Sequence, residues 1–141
     1  MKKIMLILTL LLSGRAMTLA FIGSAGSTTP GAPPDAWLMP LLGDAIIGLS
    51  ALWVAYLIWQ RTGLWVWMTI MIWNALAIWD ALSAYIIHLT NPWPTFFMIE
   101  IFGASMFFLA SLMHLIIIWL AWQPAMKAYF LGTGFPVSVK S

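Results

Sequence analysis

The run LWVWMTIMIWNALAIWDALSAYIIHL, residues 64–89, carries one formally charged side chain, Asp80. It is longer than the about 20 predominantly apolar residues that a helix needs to cross a hydrocarbon core. The segment is preceded by Gln60-Arg61-Thr62-Gly63, a short polar connection suited to two antiparallel neighbouring helices. It is followed by Asn91-Pro92-Trp93-Pro94, whose prolines cannot sit in a helix interior, and by Thr95, which can cap the next helix. Residues 64–89 therefore read as one membrane span with a stop at each end.

The same pattern recurs on both sides. An apolar run covers residues 4–22, interrupted by Ser13, Gly14 and Arg15, and gives way to a Gly/Ser/Thr/Pro-rich loop over 23–36. A second covers 38–59, entered through Trp37, and a fourth covers 96–122, stopped by Gln123-Pro124. Residues 123–141 read as an interfacial tail. With 63% apolar and 7% charged residues and a mean hydropathy of +0.98, the 141-residue chain has room for four spans and little else. The expected fold is all-α: a four-helix transmembrane bundle, up-down-up-down, in a single membrane domain.

Lys2, Lys3, Arg61, Lys127 and Lys140 all fall at one end of that bundle, whereas the 23–36 loop and the 89–94 turn contain no basic residue. The excess of basic residues in short loops predicts that this end, with both termini, is cytoplasmic. Trp37 and Trp93 are expected at the outer boundary, and Trp59, Trp65, Trp67, Trp119 and Trp122 at the inner one, as aromatic belts. Residues 1–20 also resemble a secretory signal peptide with a cleavage site near Ala20. Retention is the favoured reading, because apolar residues continue through Phe21 and Ile22 and give about 28 Å of helix. Cleavage would leave the orientation of the remainder unchanged.

Three of the four acidic residues, Asp44, Asp80 and Glu100, and one of the six basic ones, Arg15, lie inside these spans. An ionisable side chain in hydrocarbon costs several kcal/mol unless it is paired or wetted, so each is a candidate functional residue. At 1.5 Å per residue all four fall roughly 6 to 12 Å below the outer end, one from each helix. That convergence predicts an outward-facing acidic pocket in which Arg15 partners the carboxylates. One arginine cannot neutralise three carboxylates. The pocket is therefore expected to hold a neutral carboxyl or to recruit a proton, a cation or a small amphipathic ligand, with His88, eight residues after Asp80, as a further positive group.

Each of these residues also has a purely structural reading. Asp44 and Glu100 lie near helix N-termini, where carboxylates are favoured; Arg15 can snorkel outward; and His88 can be an interfacial residue. Asp80, far from any positive helix end, is the hardest to explain this way. Helical spacing places Asp44 with Gly48, Ala51 and Ala55, and Asp80 with Ala84, small residues that permit close helix approach. It aligns Glu100 with Ala104, Phe107, Ser111 and His114. Asn74, Ser111 and His114 are secondary polar candidates, and the Glu100–Ser111–His114 stripe suggests a proton relay that water would have to bridge. Simple interhelical hydrogen bonding of His114 competes with that reading.

Other chemistries find less support. The absence of cysteine excludes disulfides, thiolate metal sites and cysteine nucleophiles. His88 and His114 are too far apart in depth to hold one haem. A metal site from Asp44, Asp80, Glu100 and His88 has no distinguishing ligand spacing, so neither metal nor cofactor is expected. There is no nucleophile elbow, HExxH or glycine-rich phosphate loop, and an enzyme is the least favoured class. The net charge of +2 marks topology and gives no indication of nucleic acid.

The segments Pro40-Leu41-Leu42-Gly43-Asp44-Ala45 and Trp73-Asn74-Ala75-Leu76-Ala77-Ile78-Trp79-Asp80 resemble small uncharacterised bacterial four-span membrane proteins. The resemblance implies a retained, free-standing bacterial module, a multi-pass protein of the inner membrane, and brings no activity with it. Three functions are weighed: a pocket for a proton, cation or amphipathic ligand; an accessory subunit of a larger membrane complex whose polar residues lock helix packing; and, least favoured, a membrane-embedded enzyme. The partners expected are the lipid bilayer and, for so thin a bundle, a homo-oligomer or larger complex.

Overall fold

The computed structural model describes residues 1–132, and the remainder of the expected tail, with Lys140, lies outside the described residues. Helices dominate: α1 (Lys2–Leu12), α2 (Leu19–Ile22), α3 (Leu38–Gln60), α4 (Leu64–Thr90), α5 (Phe97–Phe102), α6 (Ser105–Trp122) and α7 (Pro124–Leu131). Four helical stretches are long and apolar enough to cross a membrane: Lys2–Ile22, Asp35–Gln60, Leu64–Thr90 and Ser105–Trp122.

The element ends follow the local chemistry. Arg61 is extended after α3, and Gly63 takes a φ of 117° that only glycine adopts readily, turning the chain into α4. Gln123 precedes a proline and is extended, and Pro124 then occupies the first turn of α7, where no backbone N–H is required. Pro40 is tolerated in the first turn of α3 for the same reason.

Two helices differ from the uninterrupted spans that the apolar runs suggest. The first tightens into a 3₁₀ stretch over Ser13–Thr18 before resuming as α2. The fourth does not run continuously from residue 96. Gly103, with φ 58° and ψ −153°, separates α5 from α6, and the long fourth helix begins at Ser105.

Around the bundle, α1 and its 3₁₀ continuation pack on α3, α3 on α4, and α4 on α6, and a looser α6–α1 contact closes the ring. Sequence neighbours are thus spatial neighbours, as in an up-down-up-down bundle. One end is tied together by Trp37 Nε1 donating to Asn91 O (2.7 Å) and Trp93 Nε1 donating to Gly31 O (2.9 Å). At the other end Lys2 Nζ donates to Trp59 O (2.8 Å) and to Tyr129 Oη (2.6 Å), and the Gly63 amide donates to Phe130 O (2.6 Å). Lys2, Arg61 and Lys127 therefore share that end.

The interior is a continuous apolar core that includes Met5, Leu12, Ala51, Val54, Ile58, Val66, Ile70, Ala77 and Ile117. Large apolar side chains on the outside, among them Ile46, Leu52, Ile72, Leu76, Ile86 and Leu115, are exposed, as expected of a surface that faces lipid. Trp59, Trp65, Trp119 and Trp122 are exposed in the same way. Trp37 and Trp93 are not belt residues: both are buried in a second cluster with Leu41, Phe96 and Phe107. Their indole N–H groups bond loop carbonyls, which satisfies them without an interface.

Candidate functional site

The site begins with a close approach of backbones. A β-carbon on Gly48 of α3 would collide with the backbone of Arg15 and Ala16, so this glycine allows the Ser13–Thr18 segment to lie directly on α3. Thr18 reinforces the contact, its Oγ1 donating in a shared bond to Arg15 O (2.8 Å) and Leu41 O (3.1 Å). The main chain that carries Arg15 is thereby held against α3, and the guanidinium reaches into the middle of the ring.

There it touches all three other long helices. Arg15 Nε donates to Asp44 Oδ1 of α3 (2.5 Å), and Nη2 donates to Asp80 Oδ2 of α4 (2.5 Å) while also pairing with Asp44 Oδ1. Nη1 donates to Ala77 O of α4 (3.4 Å) and to His114 Nε2 of α6 (3.2 Å). A guanidinium has five N–H donors; four of them make these hydrogen bonds, and Nη2 also stands in ion-pair contact with Asp44. The side chains of Arg15, Asp44 and Asp80 are only 12, 21 and 16% exposed, respectively.

Because His114 Nε2 accepts from Arg15, its Nδ1 carries the proton and donates to Asn74 Oδ1 (2.8 Å). The Asn74 amide then donates to Ile70 O (2.8 Å). The polar chain Arg15→His114→Asn74→Ile70 runs into the core with every donor oriented the same way, and both His114 and Asn74 are fully buried. Gly43 completes the arrangement, since a β-carbon there would occupy the space of the Asp80 carboxylate.

Of the residues anticipated for the site, Arg15, Asp44 and Asp80 come together, and His114 and Asn74 join them. Glu100 does not. It is exposed in α5, and among the described residues it makes no ion pair or side-chain hydrogen bond. The break at Gly103 resets the helical register, so projecting the α6 face back through it misplaces residue 100. Ile99 is the buried residue of that turn instead. Ser111 is buried on the same face of α6 as His114, but its hydroxyl donates to Phe107 O one turn back (2.9 Å), so it links nothing to Glu100. The relay from Glu100 through Ser111 to His114 is therefore absent from this arrangement.

His88 is also elsewhere. It stands edge-on to Trp37 (6.2 Å between centroids) and tilted on Phe107 (5.6 Å), and its buried Nδ1 has no hydrogen-bond partner among the described residues. No cluster of three or more His, Cys, Asp or Glu side chains able to hold a metal ion occurs among the described residues.

A cavity of about 380 Å³ opens beside the ion pairs, between the 13–18 segment and α6, where the ring is loosest. Arg15, Asp44 and Thr18 form its polar wall. Leu12, Met17, Met98, Met106, Phe107 and Met113 supply most of the apolar remainder, with Ala81 and Ala84 of α4 behind. Its size falls in the range of pockets that enclose small molecules, and its mixture of apolar lining with a few convergent polar groups is typical of them.

No protein-family model matches the chain, and no characterised protein or solved structure matches it. Chemical inference therefore rests on the site itself. With His114 neutral, one arginine faces two carboxylates and leaves one formal negative charge in excess. Both carboxyls meet the same guanidinium nitrogen, so a shared proton is one route to neutrality and a bound cation is another.

Three features of the site were not apparent from charge counting: the roles of Gly43 and Gly48, and the direct contact of His114 with Arg15. Helical spacing aligns Gly48 with Asp44, which is the signal that a close approach leaves in a sequence. The same spacing aligns His114 with Phe107 and Ser111, but its depth relative to Arg15 depends on how α6 is offset against α1, which no spacing encodes.

Proposed function

We propose that this chain is a small four-span integral membrane protein that binds a small amphipathic ligand or cation in the cavity walled by Arg15 and Asp44. The observation that carries the reading is a cavity of about 380 Å³ whose apolar lining meets a charged wall inside otherwise apolar helices. Charged side chains within spans are costly, and a cluster that served only helix packing has no need of an adjoining void. In the orientation favoured by Lys2, Lys3, Arg61 and Lys127, both termini are cytoplasmic in a bacterial inner membrane and the cavity lies in the outward-facing half.

The test is saturable binding of a small naphthyl amphiphile to the purified protein in detergent, with Met106→Trp as the variant that fills the cavity. The proposal expects saturable binding by the native chain and at least a tenfold loss in the variant without loss of thermal stability. Binding that does not saturate, or that Met106→Trp leaves unchanged, would overturn it.

A second reading, as a subunit of a homo-oligomer or larger membrane complex, is favoured by Trp79. This indole is 72% exposed in the middle of α4, away from either end, where interfacial tryptophans concentrate. Loss of co-purifying subunits or of self-association on Trp79→Leu is the outcome that reading expects.

A further inference from the structure

Resting on that reading of the cavity, we infer that its ligand is a lipophilic monocation, an ammonium or similar donor-bearing head on an apolar body, and not a fatty acid or other anionic amphiphile. The basis is donor and charge accounting at the polar wall. An anionic head would need free N–H donors, and Arg15 is largely spent: Nε, Nη1 and Nη2 make four hydrogen bonds, to Asp44, Asp80, Ala77 O and His114, and Nη2 also pairs with the Asp44 carboxylate. Thr18, the other polar side chain of the wall, has its hydroxyl proton engaged by Arg15 O and Leu41 O.

What the wall still offers is acceptor capacity. Asp44 Oδ2 receives no hydrogen bond from any N–H or from a hydroxyl of Ser, Thr or Tyr among the described residues, and Asp44 is the carboxylate that lines the cavity. With both carboxylates ionised the site is one positive charge short, which attracts a cation and repels an anion in a weakly solvated setting. The rest of the lining suits an apolar cation. Phe96 and Phe107 present aromatic rings. Met17, Met98, Met106 and Met113 are flexible, polarizable side chains that adapt to apolar bodies of varied shape. Selection would then come from the sign of the head group, with tolerance for the body that carries it.

The experiment compares three naphthyl probes of matched size that carry a primary ammonium, an alcohol or a carboxylate, by equilibrium dialysis against the full chain in detergent at fixed micelle concentration. The ammonium probe should bind about tenfold or more tightly than the alcohol, equivalent to about 1.4 kcal/mol, and the carboxylate should bind most weakly. Asp44→Asn should remove that preference, bringing the ammonium and alcohol probes to within about twofold of one another, because the amide keeps the shape of the wall and loses its charge. Equal binding of all three probes, or preference for the carboxylate, overturns the cation inference and leaves the cavity reading standing. Absence of saturable binding by every probe overturns both. The head-group comparison on the native chain decides the matter by itself should Asp44→Asn fail to fold.

Discussion

Gly48→Ala tests how Arg15 is placed. A methyl group at residue 48 would overlap the Ala16 backbone nitrogen and stand 2.7 Å from both Ala16 Cα and the Arg15 carbonyl carbon. Carbon atoms settle at about 3.5–4.0 Å, so residues 15 and 16 would have to retreat by about 1 Å. The neighbours are backbone atoms, and no rotamer change relieves the overlap. Overpacking of this kind costs about 1–3 kcal/mol. The same retreat stretches the Arg15 contacts to Asp44 and Asp80. At an effective dielectric of about 20, lengthening each by about 1 Å costs roughly 1 kcal/mol per pair. The expected loss is about 3–5 kcal/mol in all, read by thermal or denaturant unfolding in detergent with tryptophan fluorescence. Gly14→Ala is the internal control: it lies in the same 3₁₀ segment, but its new β-carbon would meet nothing within 4 Å. That change should be neutral or stabilising by up to about 1 kcal/mol. Equal stability of the two variants would refute both the close approach and this account of what positions the guanidinium.

Arg15→Lys keeps the charge but offers three donors from one point in place of a planar fork, so it cannot serve Asp44, Asp80, Ala77 O and His114 together. A loss of about 2–3 kcal/mol is expected, and Arg15→Ala should cost more, about 3–5 kcal/mol, because it leaves two carboxylates without a partner. Unchanged unfolding midpoints for both would rule out Arg15 as the hub of the bundle. Glu100→Gln, by contrast, should shift stability by no more than about 0.5 kcal/mol and leave ammonium-probe binding intact, since the residue is exposed and outside the site. A large effect on either measurement would place Glu100 back in the pocket.

Much of the site could be read before any coordinates, and the reason is the solvent. In hydrocarbon a charged side chain must find a partner or water, so Arg15, Asp44 and Asp80 marked themselves by being charged at all. The failures have a common physical origin. Helical spacing carries Glu100 onto the bundle face only through an unbroken helix, and Gly103, a single residue at positive φ, is enough to rotate everything before it. Tryptophan's preference for interfaces points Trp37 and Trp93 to a belt, but the 23–36 loop and the 91–96 turn fold over that end of the bundle and bury them. His88 went with them, into an aromatic setting beside Trp37 and Phe107.

By itself the sequence determined that there are four apolar helices, where the polar connections between them fall, and which ionisable groups lie within them. All of this follows from local composition and from the cost of leaving backbone or charge unsatisfied in an apolar medium. Only the tertiary structure decided that Arg15 lies at the centre of the bundle. That outcome depends on Gly48 and Gly43 clearing space on α3. It depends equally on the relative offset of α1, α4 and α6, which brings Asp80 and His114 to the same guanidinium. The cavity beside it is likewise a property of the loose seam between α1 and α6. Contacts of that kind arise from how surfaces interlock over long sequence separations, and helical periodicity carries no record of them.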